Sequence, residues 1–236
     1  MPNQGRCLCH PKVVEPIRRM MASWVDLERQ RTPHEIIGVE PDTDFELRPN
    51  LVIRAIEVSH TVPAVAWVVI ERRSKLREEF VGQPQDKLRQ LRSEGVAITK
   101  VVEIPLVAYT GDTEPGPFLL RPEICKAQVV VTECTFFEDE HRDRAKIGKH
   151  IHVDDLRPLL EAWEARDVVI AHVSRRTLMP FAREKLEKVA GPRGAARLHL
   201  LMDHRTNKAR YEAMVAAEGA EPEAPAPDAM NAEEVG

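Results

Sequence analysis

Three residues with metal-ligand chemistry, His60, Asp112 and His172, each lie at the end of a predicted strand. The apolar runs that lead into them are LVIRAIEVSH, IPLVAYTGD and DVVIAHVS. Neutral imidazole and carboxylate are Zn²⁺ ligands, and in layered α/β folds such groups gather where loops leave the strands. A single strand-end histidine is more often a hydrogen-bonded turn or core residue. The prediction of a metal site therefore depends on all three occurring together.

A second group of polar residues lies in the long segment between the last two of these candidates. Glu133 ends an apolar run, and His150 and His152 come just before a predicted helix that begins with an Asp-Asp pair. A carboxylate that orients a histidine can produce a general acid, which protonates a leaving group. The same residues could instead be a turn cap and two exposed loop histidines. Spacing alone favours this plainer interpretation.

The elements that must position these residues alternate between apolar runs and helical patterns. After a turn-like start, helices are predicted over residues 13–31, 141–147, 154–165 and 178–189, with a charged helical excursion at 75–95. Short β-like runs are predicted over residues 34–39, 44–47, 51–59, 65–71, 104–110, 127–132, 167–173 and 196–202. Strands mixed with helices indicate an α/β layered fold.

The division of the chain follows its composition. Residues 1–205 are predicted to form one domain, and residues 206–236 a helix end followed by a disordered tail. The stretch 217–236 is rich in Ala, Glu and Pro and carries six acidic residues but no Lys or Arg. The net charge of the whole chain is -4, so the rest of the chain is close to neutral. Such a charge neither implies nor excludes binding to nucleic acid.

Composition also limits the cellular setting. The 236 residues are 43% hydrophobic and 31% charged, which is typical of globular proteins. No apolar run approaches the ~20 residues of a membrane span, and the N-terminal residues show no secretory signal. Four cysteines in a chain of this length favour reduced thiols over a disulfide framework. We therefore expect a cytoplasmic protein without a membrane partner.

Read in order, five segments between residues 34 and 201 resemble ribonuclease Z and its relatives in the metallo-β-lactamase fold. The segments are SHTVPAVAWVVIERR from residue 59, VAYTGDT from 107, ECTF from 133, GKHIHVDDL from 148 and HVSRRT from 172. By this resemblance His60 would ligate the first of two Zn²⁺ ions, His172 the second, and Asp112 would bridge them. The implied activity is endonucleolytic cleavage at the 3′ end of tRNA precursors, in which a metal-bridged hydroxide attacks phosphorus.

The resemblance also implies roles for the other polar residues. Glu133 and His150 would form the catalytic pair that protonates the leaving oxygen. Ser174 and Arg176 would contact phosphate or substrate. The implied partners are precursor tRNA or another phosphodiester substrate, together with a homodimer as a further expectation.

One departure from the family limits these expectations. The family has a His-x-His-x-Asp-His run upstream of all these segments, and this sequence contains none. We therefore expect a partial four-layer αββα sandwich without its N-terminal strands, and an incomplete ligand set. Cys7, Cys9 and His10 are the only nearby donors, and their spacing matches no common zinc finger.

Three explanations of this departure stay open: a start codon assigned too late, which we favour, an upstream half encoded as a separate chain, or a degenerate relative. Three functions also stay open: a ribonuclease Z-like phosphodiesterase that is active once the upstream ligands are present, another hydrolase of the same fold, or a non-catalytic, metal-poor interaction module.

Overall fold

The structure, a computed structural model, describes residues 5–29 and 34–218, except for the side chain of residue 193. Residues 219–236 of the predicted acidic tail lie outside the described part, as do the last two residues of the first predicted helix. None of the helices in the described part has the length and apolar character needed to cross a bilayer.

A seven-stranded mixed sheet is the centre of the fold, with strand order β3-β4-β5-β6-β7-β8-β9. A separate two-stranded sheet pairs β1 with β2 in parallel. The strands are β1 Gly5–Cys9, β2 His34–Gly38, β3 Asp44–Arg48, β4 Leu51–Val58, β5 Ala64–Leu76, β6 Thr99–Tyr109, β7 Val129–Glu133, β8 Asp167–Ala171 and β9 Leu198–Leu200. Pairing is antiparallel from β3 to β6 and parallel from β6 to β9.

The described part of the chain contains seven α-helices. They are α1 Val14–Glu28, α2 Gln85–Ser93, α3 Pro122–Cys125, α4 Arg142–Gly148, α5 Leu156–Ala162, α6 Met179–Ala195 and α7 His204–Glu218. The core forms where α3, α5 and α6 pack on alternate residues of the strands, including Val68, Val130 and Ile170, which are all fully buried. Trp163 is also buried, and its indole N–H donates to the Leu119 carbonyl at 2.9 Å. The largest core side chain therefore leaves no polar atom unsatisfied.

A smaller apolar cluster lies on the opposite face of the sheet. Ala55 and Val65 of the sheet pack there against Val39, with Leu8 and Trp67 at the edge of the cluster. This contact places the two-stranded sheet and the segment after it beside the β4–β5 strand pair.

The predicted α/β fold is confirmed, and two local predictions are wrong. The turn-like start is strand β1, which forms because β2 supplies its hydrogen-bonding partner. The excursion at 75–95 contains a short 3₁₀ turn at Glu78–Phe80 and an α-helix only over Gln85–Ser93, because β5 continues to Leu76. Helix α7 lies across the boundary at residue 205, and the division into two regions stays a prediction.

Arg54 joins three elements at the antiparallel end of the sheet. Its guanidinium nitrogens lie 2.8 Å from Asp44 on β3, 3.0 Å from Glu103 on β6 and 3.4 Å from Glu123 on α3. Its hydrogen bond lowers the pKa of Asp44. Burial opposes the shift at Glu103, but hydrogen bonds from Arg54 and Arg72 outweigh it and the pKa of Glu103 is also lowered.

Because these carboxyl pKa values are lowered on folding, the network stabilises the protein above about pH 4 and the stabilisation is lost as the pH falls through the folded-state values. We expect Arg54→Met to lower the free energy of unfolding by about 1–2 kcal/mol near pH 7. The variant and the unmodified chain should converge as the pH falls below about 4. Urea unfolding across this pH range measures both effects.

Arg166→Met is the matched control, because Arg166 is 80% exposed and pairs only with its neighbour Asp167. Its effect should stay within about 0.5 kcal/mol at every pH. An Arg54→Met variant that followed this control would show that the network contributes nothing.

Candidate metal and proton-transfer site

The candidate residues gather at one edge of the large sheet. Strands β4, β6, β7 and β8 run in the same direction, because β5 reverses the chain once and the remaining pairs are parallel. Their carboxyl ends therefore meet. The loops that leave them carry His60, Asp112 and His172, and Glu133 is the last residue of β7. His150 comes from the loop that follows α4.

Glu133 is the hydrogen-bonding centre of this edge, and its side chain is only 1% exposed. One carboxylate oxygen accepts from the backbone N–H of Thr113 and from Nδ1 of His150, each at 2.8 Å. The other accepts from the hydroxyl of Thr135 at 2.6 Å and from the N–H of Ile151 at 3.3 Å. A carboxylate can only accept, so Nδ1 of His150 carries the proton.

The hydroxyl of Thr135 links Glu133 to His172. Its single hydroxyl proton is donated to Glu133, so its oxygen is free to accept from Nδ1 of His172, which lies 2.7 Å away. The unprotonated Nε2 of His172 then faces Asp112, with 3.6 Å between Nε2 and the carboxylate. Thr135 lies in the ECTF segment, but the sequence pattern assigned it no role. A hydroxyl two residues after a strand-end carboxylate was the signal that could have indicated one.

The imidazole rings of His60, His150 and His172 contact one another in sequence, with His150 in the middle. The His150 ring stacks on His172 with centroids 5.2 Å apart, and His60 meets His150 edge-on at 5.0 Å. One donor atom from each of Asp112, His150 and His172 lies within 4.8 Å of the other two. His60 does not belong to that set. Its Nδ1 lies 3.1 Å from the carbonyl of Lys149.

The segment after His172 holds the two predicted substrate-binding residues. His172 has φ 55°, an uncommon left-handed conformation for a residue with a side chain, and it turns the chain away from β8. The N–H of Ser174 donates to the carbonyl of Thr135 at 3.1 Å. Arg176 is exposed, and within the described residues its guanidinium forms no ion pair. These two residues lie beside the site, with Arg176 open to an anionic ligand.

His152 is not part of the site. Its Nδ1 accepts from the N–H of Asp154 at 3.3 Å, and its Nε2 lies 3.2 Å from the Glu138 carbonyl. Donors of Asp139, His152 and Asp154 also come within 4.8 Å of one another. Because both ring nitrogens of the buried His152 already have partners, this second group is a capping arrangement rather than a metal site.

The upstream donors do not form a site either. Cys9 is buried with its Sγ 3.8 Å from the Ile37 carbonyl, whereas Cys7 is exposed. Nδ1 of His10 accepts from the N–H of Lys12 at 3.1 Å and caps a short 3₁₀ turn. In the part of the chain that the structure describes, these three residues make no cluster of donor atoms.

We expect Thr135→Val to destabilise the protein by about 1–3 kcal/mol, because it removes one donor to a buried carboxylate and the acceptor for His172. The change in the free energy of unfolding is measured by urea denaturation. Thr61→Val is the control, since Thr61 is exposed and its substitution should cost no more than about 0.5 kcal/mol. Equal effects of the two changes would contradict the role given to Thr135.

Comparison with known proteins finds relatives that align with most of this chain. No protein-family model matches the chain. The chain is 29% identical over 168 residues to tRNase Z TRZ1 of Arabidopsis thaliana, an alignment that covers 70% of this chain and 60% of the relative. It is 29% identical over 177 residues to ribonuclease Z of Pyrobaculum arsenaticum, covering 67% of this chain and 61% of the relative.

Among solved structures, unliganded yeast PDE1 is similar with a TM-score of 0.51 and 12% identity, covering 84% of this chain and 57% of that one. At this identity the likeness concerns the fold alone. The chain spans about 60% of the length of the two curated relatives. The chain is thus similar in sequence to proteins named tRNase Z and ribonuclease Z, and its α/β fold with a mixed sheet is similar to that of yeast PDE1.

Proposed function

We propose that this chain contributes to a zinc-dependent phosphodiesterase that cleaves RNA, with precursor tRNA as the substrate. The observation that carries the proposal is the set of hydrogen bonds that Glu133 accepts, because it orients His150 directly and His172 through Thr135. Relatives named tRNase Z and ribonuclease Z support the choice of substrate.

The side chains proposed to bind the metal belong to types that zinc prefers. His60, Asp112 and His172 supply imidazole nitrogens and a carboxylate, and each histidine has its Nδ1 held by an oxygen acceptor. Such outer-shell hydrogen bonds fix the tautomer that leaves Nε2 for a metal. A two-metal centre needs more donors than these three residues supply, since catalytic zinc takes about three protein ligands per ion. When bound, the metal supplies Lewis acidity at the phosphoryl group.

His150 is the proton donor in this proposal. Glu133 accepts from Nδ1 of His150 at 2.8 Å and so orients the ring, and the proton for the leaving oxygen would come from Nε2. His150 is only 17% exposed, whereas His172 is 50% exposed and Asp112 39%. In this proposal the phosphodiester approaches from the solvent, so it meets the more exposed His172 and Asp112 before the more buried His150.

Substrate binding is assigned to the segment after His172. The guanidinium of Arg176 is free to pair with a phosphate oxygen in a bidentate fashion, and Ser174 supplies a hydroxyl nearby. A cytoplasmic location and assembly as a homodimer stay predictions of the sequence.

We expect the protein to bind Zn²⁺ and His172→Ala to weaken that binding by at least about tenfold, because a direct ligand is lost. His150→Ala should keep the zinc affinity within a few-fold but lower cleavage of a precursor tRNA transcript by about 10²–10⁴-fold. Calorimetric zinc titration and a gel-based cleavage assay measure the two properties separately.

His204→Ala is the matched control, because His204 is exposed and, within the described residues, is not among the candidate metal-binding groups. Loss of zinc together with cleavage in His150→Ala would make His150 a ligand instead of the general acid. An unmodified chain that takes up no zinc would favour the non-catalytic interaction module.

A further inference from the structure

A network of three connected side chains lies next to the predicted metal ligands. Its members are Ser59, Glu114 and Lys149. The Lys149 ammonium lies 2.9 Å from the Ser59 hydroxyl and 3.3 Å from the Glu114 carboxylate. The Ser59 hydroxyl also donates to Glu114. Each member is within two residues of a candidate site residue. We call these three residues the lysine network.

Two of the three loops are already joined without the lysine. The N–H of Glu114 donates to the Ser59 carbonyl at 2.9 Å, and the Thr113 hydroxyl donates to the same carbonyl at 3.1 Å. Lys149 is the member that joins the third loop to the other two.

The backbone of Lys149 has an unusual conformation. At φ 53° and ψ 54° it is left-handed and ends helix α4. A residue with a Cβ adopts this conformation at an energetic cost, whereas glycine adopts it freely. A lysine at this position is thus unfavourable for the backbone, and the contacts of its side chain offset that cost.

The same residue fixes the His60 ring. Its carbonyl lies 3.1 Å from Nδ1 of His60, and the two residues are 89 positions apart in the chain. A carbonyl can only accept, so Nδ1 carries the proton and Nε2 keeps its lone pair. The ammonium and the carbonyl of one residue therefore act on two consecutive residues of one loop, Ser59 and His60.

We propose that Lys149 is a positioning residue: by holding Ser59 and Glu114 with its ammonium, it keeps its own carbonyl against Nδ1 of His60 and presents Nε2 of His60 as a metal ligand. The claim that Lys149 fixes the tautomer of His60 depends only on the geometry. The claim that Nε2 of His60 binds a metal rests on the proposed function.

Lys149→Gly tests this inference, because it keeps the carbonyl and suits the left-handed backbone but removes the ammonium. In the metal-free protein near pH 8, where histidine is neutral, ¹⁵N NMR of the histidine rings should show one dominant His60 tautomer, protonated at Nδ1. In Lys149→Gly we expect a mixture of tautomers, and a zinc affinity lowered by about tenfold. The urea midpoint should be unchanged or higher, which separates positioning from a purely structural role.

Lys146→Ala is the control, since it removes the same charge from α4 one turn earlier and leaves the lysine network intact. Lys149→Arg should restore most of the dominant tautomer by keeping a cation. A Lys149→Gly variant with the unmodified His60 tautomer would overturn the inference. Failure of the unmodified chain to bind Zn²⁺ would refute the proposed function, while the tautomer measurement would still decide the positioning role of Lys149.

Discussion

The carboxylate of Glu133 is almost completely removed from water, and a buried charge is costly unless it is well hydrogen-bonded. Here it accepts four hydrogen bonds, two from backbone N–H groups and two from side chains. The donors come from three different loops at the sheet edge. Because the charge requires all of them, it draws the loops after β6, β7 and α4 into one arrangement.

The need of the buried Glu133 carboxylate for hydrogen bonds also fixes the positions of protons at the candidate site. An acceptor-only group at the centre makes His150 a donor through Nδ1, and it makes Thr135 an acceptor toward His172. The lysine network does the corresponding work for His60 through a backbone carbonyl. In both cases, Nε2 is left as the reactive nitrogen. Exposure rises outward from Glu133 through His150 to His172, so the ordered groups lie inside and the ligand-type groups face the solvent.

The sheet determines where these loops begin. Parallel strands bring like ends together, and the single antiparallel partner β5 lets β4 share that edge. This explains why strand-end residues from distant parts of the sequence meet. The charged end of β5 and the start of β6 project away from the site and were harder to recognise, because a ribbon of alternating charges has no apolar periodicity to mark it as β-structure.

The sequence by itself determined most strands and helices of the α/β fold and the candidates His60, Asp112, Glu133 and His172, because apolar runs end where loops begin. Spacing alone could not separate His150 from His152, which share one short stretch, and the choice of His150 came from the family resemblance. Only the tertiary structure decided that His150 faces Glu133 while His152 caps a turn, because their partners come from other elements. Strand β1 and the roles of Thr135 and Lys149 also depended on contacts between residues far apart in the chain. Local pattern reports which residues are apolar or polar, but the identity of a hydrogen-bonding partner is a property of the folded chain.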